Sequence, residues 1–453
     1  MSRSTNVHTT GTLPTSAPPC DDTHQIQPIT LNIADPHFAT NAYDIYADLR
    51  AKGPVARVLL DSGEASPNNA AQFRSGGETF FVTHYDEVVA TLLDARFAVN
   101  PRTVLTAEEL QRLPQPSEEL RPLTSSLIML DPPDHTRMRK LVQPSFTGKA
   151  MEALRGTIEQ IVSDCLEQAE RAAAERGEVA PNRQMDLIAA FAYPMPVTVI
   201  SDLLGIPRAD RETIRGWTEN LLRVDRRRGQ ALDEETLAGL RAFTGYLRDL
   251  FEQKRQQPAD DMISRLVQAD EDGDILSEDE ILSMVFLLFL AGHVTTVNLI
   301  GNGVVALLSH PDQLAAFRAS PQLAKGLVEE TLRFWGPIDF IGRRISKEEL
   351  DLSGTTIPAG ERITVSLAAA NRDPAQFANP DTFDITRADA NRHVAFGKGI
   401  HVCLGAPLAR MEGQIAFTML LQRFPELRLA VPIEEVQWGG TLLRGFARLP
   451  VLF

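Results

Sequence analysis

Apolar residues recur every three or four positions through much of the chain, and that spacing predicts amphipathic helices over residues 86–93, 133–142, 150–176, 210–222, 234–255 and 311–334. Two runs alternate with the period of a strand instead, residues 55–60 and 79–83. The polar stretch between them carries Pro67, Asn68, Asn69, Gly76 and Gly77, which is the chemistry of a hairpin with a long surface loop. Short strands are expected again over residues 357–366 and near the C-terminus, where Gly439-Gly440 and Arg444-Gly445 suggest turns. The pattern is mainly α with a small β-sheet region.

Residues 281–309 contain no Asp, Glu, Lys or Arg and are long enough to span a bilayer. Polar positions His293, Thr295, Thr296, Asn298 and Asn302 interrupt the run, and the flank before it is acidic, so it reads as a long helix through a protein core rather than a membrane span. Ser277 and Glu280 form a capping box at its start. Gly301 to Ala306 match a dinucleotide fingerprint in letters only, because they lie inside this helix and not between a strand and a helix. The acidic stretch 270–281 has Ile275 where a calcium loop needs its turn glycine and Ile281 where it needs its last glutamate.

Of 453 residues, 43% are hydrophobic and no Gly/Ser linker, repeat or charge block divides the chain after residue 40, so one large domain over 35–453 is expected. Residues 1–34 begin with a Ser-, Thr- and Pro-rich stretch lacking the apolar core of a signal peptide, and read as a disordered tail on a cytoplasmic protein. Sixty acidic residues against 45 basic give a net charge of -15, which disfavours nucleic acid and anionic lipid as partners and favours an apolar small molecule.

The three cysteines, Cys20, Cys165 and Cys403, are too far apart in sequence for a disulfide framework or a tetracysteine site. Cys403 lies in FGKGIHVCLG, two residues after His401. A nucleophilic cysteine would need His401 as base, yet alternating residues tend to point apart and no oxyanion device is visible. Zinc would need ligands from distant positions. An axial thiolate for haem iron needs one cysteine, glycines that admit the porphyrin, and amide donors toward sulfur; the helix expected after it, with Pro407 in its first turn, adds a favourable dipole. A buried structural cysteine is the remaining reading, and the loop alone leaves it open.

FGKGIHVCLG followed by APLAR resembles the haem-binding signature of the cytochrome P450 superfamily, and the resemblance runs from about residue 35 onward with four separated motifs in order. It implies the cytochrome P450 fold, a helix-rich single domain, with haem b (iron protoporphyrin IX) held through Cys403 in a loop that includes Phe396, Gly399 and Gly405. Glu330 and Arg333 match the E-x-x-R helix and Arg387 the second arginine of a buried triad bracing that loop. The stretch Asp131 to Arg139 resembles the helix at the haem edge. There His135 and Arg139, one turn apart, present donors on one face suited to carboxylates. Arg344 and His401 match further propionate-binding positions.

Ala291, Gly292 and Thr295 resemble the oxygen-binding segment: Ala291 and Thr295 share a face, and Gly292 would leave room for a diatomic ligand. His293 is rotated away from that face and is assigned to packing. Pocket candidates by resemblance are residues 98–127, Phe286, Leu290, Ala291, Ile338, Asp339 and the rest of 338–341, and Leu442 with Leu443. The activity implied is insertion of one oxygen atom from dioxygen into an apolar secondary metabolite, by hydroxylation or epoxidation, as in the bacterial group that tailors macrolides and other polyketides. Electrons would come from a ferredoxin and a ferredoxin reductase, since no flavin, NAD or iron–sulfur motif is present, with Lys398, Arg137 and Lys140 as a docking patch. One departure stands out. The family usually has Asp or Glu before the threonine, where this chain has Val294. Two alternatives follow: peroxide-driven or otherwise atypical oxidation, and a non-catalytic haem protein that senses gas or binds ligand.

Overall fold

A six-stranded sheet flanks a larger helical body in the computed structural model, which describes residues 29–33, 35, 37–61, 78–112, 121, 125–214, 216–217, 233–268, 270–271, 274–439 and 443–453. The sheet contains β1 (Ile29–Asn32), β2 (Val55–Asp61), β3 (Glu78–Val82), β4 (Phe97–Ala98), β5 (Phe340–Ser346) and β6 (Arg362–Ser366), in the order β1-β2-β3-β6-β5-β4. The expected hairpin is β2 paired antiparallel with β3; its loop, 62–77, lies outside the described residues. Alternation gives the sheet two apolar faces. Phe80, Val82, Ile363 and Val365 pack on helix Tyr85–Leu93, while Phe81 and Phe340 pack with Tyr46 of helix Phe38–Ala51.

Two boundaries differ from expectation. Strand β1 lies inside the segment assigned to the tail and pairs with β2, because Leu31 and Ile33 bury their side chains in the core of the sheet. The strand expected over 357–366 is two strands, Thr355–Ile357 and β6, separated where Pro358 and Gly360 (φ +80°) turn the chain.

The helical core is built around α1 (Asp134–Val142), α2 (Gly148–Glu175), α3 (Pro194–Leu204), α4 (Glu278–Ser309), α5 (Ala324–Phe334) and α6 (Ala406–Arg423). Helix α4 begins with the expected capping box and packs against α3, α5 and α6. It is long and apolar enough to cross a membrane, but its most apolar window is 67% buried by protein, as a core helix is. Gly303 explains the false dinucleotide motif: a Cβ there would stand 2.3 Å from Phe417 Cζ, so the glycine lets α4 and α6 close on each other. The single helix expected over 311–334 is divided. Pro321 forces Ser320 out of the helical region (φ -141°), which ends helix Pro311–Ala319 before a short turn leads into α5. Of the helix expected over 210–222, residues 211–214 and 216–217 are helical; residues 215 and 218–222 lie outside the described residues.

Candidate active site

Cys403 stands where a glycine-rich loop meets the N-terminus of α6. Gly397 and Gly399 adopt φ +68° and +73°, and a Cβ on Gly399 would lie 2.6 Å from the Leu92 carbonyl, so the loop needs glycine to seat against helix Tyr85–Leu93. The Cys403 N–H donates to Phe396 O at 2.9 Å, closing the loop. Burial pushes the thiol above its ordinary pKa, opposed by the amides of Gly405 and Ala406 and by the Arg139 guanidinium. Cys403 nevertheless keeps exposed surface, so it lies deep in protein and faces an open cleft. Gly405 caps α6, and Pro407 sits in its first turn as expected.

One stripe of α4 is left open while most of the helix is buried. Leu287, Leu290, Ala291, Val294 and Thr295 all keep accessible surface, at the spacing of a single helix face. The Thr295 hydroxyl donates to Ala291 O at 2.9 Å. Gly292 has another reason for being glycine: its Cβ would fall 3.1 Å from Ile200 Cδ1, so it admits α3 rather than a ligand. His293 is fully buried with Nδ1 2.6 Å from Phe289 O, and burial lowers its pKa to about 4, which keeps it neutral. Its ring packs with Phe289 and Tyr193, away from the open stripe.

The expected haem-edge residues converge. The His135 and His401 rings lie 4.3 Å apart, and the Nε2 atom of each is buried without a hydrogen-bond partner. Arg344 is buried, and among the described residues its guanidinium hydrogen-bonds only the Arg343 carbonyl, at 3.0 Å. Arg139 Nη1 donates to Ile400 O at 2.9 Å. The nearby carboxylate of Asp131 is taken up by the backbone N–H groups of Val99 and Asn100 and the Thr103 hydroxyl. Burial first, and then neighbouring His135 and Arg344, lower the pKa of His401 to about 3. Orphaned ring nitrogens beside uncompensated guanidinium groups call for an anionic ligand, and the two carboxylates of haem b fit that donor set.

Glu330, Arg333 and Arg387 form the expected triad. Arg333 donates to both Glu330 oxygens at 2.7 Å, and Arg387 Nε lies 3.4 Å from Oε1. What the triad braces differs from expectation. Arg333 and Arg387 donate to carbonyls of Asn371, Ala378, Asn379, Pro380 and Thr382, and the Asn371 side chain carries that grip onward, accepting from Val394 N–H. The direct brace of the cysteine loop is Glu329, which accepts from Arg410 Nε at 2.6 Å, Arg410 Nη2 at 2.9 Å and His393 Nε2 at 3.1 Å. Arg410 also lies 4.6 Å over the Phe396 ring.

A second acid absent from the sequence reading is Glu412 on α6. It is fully buried, its pKa is pushed up to about 8 by burial, and it hydrogen-bonds the Thr296 hydroxyl, whose Oγ1 is 3.2 Å from Gly292 O. The other carboxyl oxygen has no partner. An acid set in the apolar run MEGQIAF was the available signal.

The pocket candidates divide. Leu290 and Ile338 are partly open, and Ile338 bridges to Leu443. Phe286 points into the core, its ring 5.2 Å from Phe243, because it sits on the buried side of α4. Asp339 is committed to Arg444 at 2.9 and 3.0 Å and accepts from the Tyr46 hydroxyl, so it is a structural ion pair. Leu442, with 113–120 and 122–124 of the candidate segment, lies outside the described residues.

The profile of the family Cytochrome P450 matches residues 78–320 and 318–431. The chain is 42% identical over 419 residues to the cytochrome P450 monooxygenase PikC of Streptomyces venezuelae, covering 91% of each protein. Its structure is similar to that of the cytochrome P450 PksS of the Bacillus subtilis bacillaene polyketide synthase, with a TM-score of 0.80 at 36% identity, covering 93% of this chain and 99% of that one. It is equally similar to the myxobacterial cytochrome P450 CYP267B1 in complex with myristic acid, with a TM-score of 0.80 at 38% identity, covering 93% and 98%.

Proposed function

The chain belongs to the cytochrome P450 family and is a haem-thiolate monooxygenase, and from that premise we propose that it hydroxylates or epoxidises an apolar secondary metabolite of the polyketide or macrolide class. The observation that carries this is Cys403, set deep in protein yet keeping exposed surface just before α6, the helix that packs against α4 with its open Ala291–Thr295 stripe. The substrate class is supported by the relation to PikC and PksS and by the partly open apolar side chains Leu287, Leu290 and Ile338.

Haem b, when bound, supplies the iron chemistry that activates dioxygen. Cys403 would hold its iron, while His135, Arg139, Arg344 and His401 would hold its carboxylates. Thr295 would pass a proton from its Oγ1 to the oxygen side. With Val294 in place of an acid, the buried carboxyl that reaches α4 is Glu412, which meets the helix at Thr296 on its buried side. Burial raises its pKa to about 8, so it can hold a proton for Thr296, which supports it as the acid that position 294 lacks.

Electrons come from a redox partner. A separate ferredoxin with its reductase suits the absence of any electron-carrier motif, and Lys398 beside exposed Ile400 offers it a basic and apolar landing site on the cysteine side. Arg137, part of the patch expected from sequence, is engaged by Glu280. The location proposed for the protein is the cytoplasm. The test is product formation from a panel of macrolides and linear polyketides with a generic ferredoxin system. Oxygenated product whose yield follows oxygen uptake supports the reading, and haem reduction without any oxygenated product would sink it.

A further inference from the structure

Six large apolar side chains are exposed among the described residues, and three of them, Leu93, Ile400 and Val402, lie on or against the cysteine loop. A single exposed leucine needs no explanation, but a group does. Leu93 is the last residue of helix Tyr85–Leu93, is 60% exposed, and takes no part in the buried face formed by Tyr85, Val88, Thr91 and Leu92. It is held out where helix and loop meet. A Cβ on Gly399 would lie 2.6 Å from the Leu92 carbonyl and 3.6 Å from Leu93 Cδ2, so the loop passes within van der Waals reach of the Leu93 side chain. The next residue is Ile400, 49% exposed, with its carbonyl held by Arg139 at 2.9 Å. Leu93 and Ile400 therefore border one another across Gly399, just ahead of Cys403 in the same loop.

The rim of this patch is basic. Lys398 stands on the other side of Gly399 with part of its side chain exposed, and Lys347 reaches across to Ala95 O at 2.8 Å, close beyond Leu93. Asp94, the acid beside Leu93, is taken up by Arg96 Nε at 3.0 and 3.1 Å. Glu348 is likewise near Arg96. Neither Lys347 nor Lys398 meets a carboxylate among the described residues. In a chain of net charge -15 this is a local exception, and it selects the occupant. A second copy of the chain would bring two strongly negative molecules together, whereas an acidic partner gains from both lysines. An apolar centre inside a charged rim is the composition of a specific protein interface.

We propose that Leu93, with Ile400, is the apolar anchor on which the electron donor docks, an acidic iron–sulfur protein that sets an apolar residue against them and its carboxylates against Lys347 and Lys398. This rests on the ferredoxin reading and deepens it, because the affinity then lies in the apolar contact and the encounter rate in the lysine rim. Leu93 belongs to neither the loop nor the lysine and arginine patch read from sequence; the closure of helix Tyr85–Leu93 on Gly399 brings it there. In the docked complex one electron leaves the reduced cluster and takes ferric haem iron to ferrous, and the partner departs oxidised.

The test follows first-electron transfer into the holoenzyme from an acidic plant-type two-iron ferredoxin, trapping ferrous haem with carbon monoxide at low and at high salt. Leu93→Ser should raise the half-saturating ferredoxin concentration about 10-fold at both salt levels, since salt does not screen an apolar contact, while Leu93→Met stays near native. Lys398→Ala should weaken docking at low salt only. Reduction by dithionite, which needs no docking, should be unchanged in Leu93→Ser. An unchanged half-saturation in Leu93→Ser, an equal loss in Leu93→Met, or slower reduction by dithionite would each overturn the proposal. So would a native dimer in sedimentation that Leu93→Ser dissociates, because a second copy would then cover the patch. Two other failures show in the native protein alone: absence of the thiolate-type carbon monoxide band sinks the monooxygenase reading, and a band obtained with dithionite but never with ferredoxin sinks the ferredoxin reading and the anchor with it.

Discussion

Glu329 and Arg410 meet as a two-point ion pair, Nε to Oε1 at 2.6 Å and Nη2 to Oε2 at 2.9 Å, and this pair ties helix α5 directly to the helix that leaves Cys403. The same guanidinium lies over the Phe396 ring, and the Phe396 carbonyl receives the Cys403 N–H. His393 completes the arrangement as a neutral ring: Nδ1 accepts from Ala395 N–H, so Nε2 carries the proton it donates to Glu329. Despite its burial, Glu329 is held to a pKa of about 2 by His393 and Arg410, and it stays ionised.

Breaking this pair is expected to disturb the cysteine loop before it unfolds the chain. Arg410→Ala strands the Glu329 charge and should cost about 3 kcal/mol in urea unfolding, the low end for a broken buried pair because Arg410 is 34% exposed. Arg333→Ala removes both close donors from a Glu330 with no exposure at all, leaving it Arg387 at 3.4 Å and the Asp384 N–H at 3.0 Å, and should cost about 4 kcal/mol. The distinguishing readout is the ferrous carbon monoxide band, which should weaken in Arg410→Ala under conditions where the protein is still folded. Identical stability and an unchanged band would remove Glu329 and Arg410 from the loop's support.

Cys403→Ser should leave the fold intact and abolish the strongly red-shifted carbon monoxide band, because a neutral oxygen ligand cannot supply the electron density of a thiolate. Circular dichroism and the carbon monoxide difference spectrum check the two halves separately. A band that survives the substitution would mean that another group holds the iron.

Much of this site was legible because its chemistry is local in sequence. The Gly397, Gly399 and Cys403 spacing fixes a loop within a few residues, and Ser277 with Glu280 fixes a helix start in the same way. What failed needed information from across the fold. Phe286 and Leu287 are one step apart on a helix that is apolar almost all round, so no periodicity says which of them faces the cleft. Glu329 and Glu412 look like surface acids in sequence; only the arrival of Arg410 and His393 in one case, and the closure of α4 on α6 in the other, makes them buried groups. Pro321 was readable as a helix stop, but the apolar spacing continues through it.

Glu412 gives stability a specific pH dependence. Its pKa is raised from the ordinary carboxylate value to about 8, so between those limits the folded protein holds a proton that the unfolded chain releases. Its contribution is therefore lost as pH rises through that window and levels off above about 8. Glu412→Gln, which keeps the size and a donor for Thr296, should match the native protein only near the ordinary carboxyl pKa of 4.5, pull ahead of it as pH rises, and be clearly the more stable protein at pH 8.5. Melting temperatures of the two proteins that run parallel from pH 5 to 8.5 would refute the raised pKa.

The final prediction concerns how protons reach Thr295 when its neighbour is Val294. If Glu412 feeds them through Thr296, then Glu412→Gln should lower product formed per electron consumed by roughly 10-fold, within the range expected for losing a general acid, and released hydrogen peroxide should rise in compensation. Thr295→Ala should produce the same signature, and combining the two should add little, since both lie on one route. Val294→Glu offers a second acid on the open face of α4. Its carboxyl, partly exposed in the cleft, should partly restore coupling in the Glu412→Gln background while changing the native protein little, because there the first route already operates. Restoration in the variant background with no gain in the native one would identify Glu412 as the working source. A gain in the native protein alone, with Glu412→Gln silent, would show that Glu412 is structural and that the chain runs poorly coupled for want of the acid at position 294.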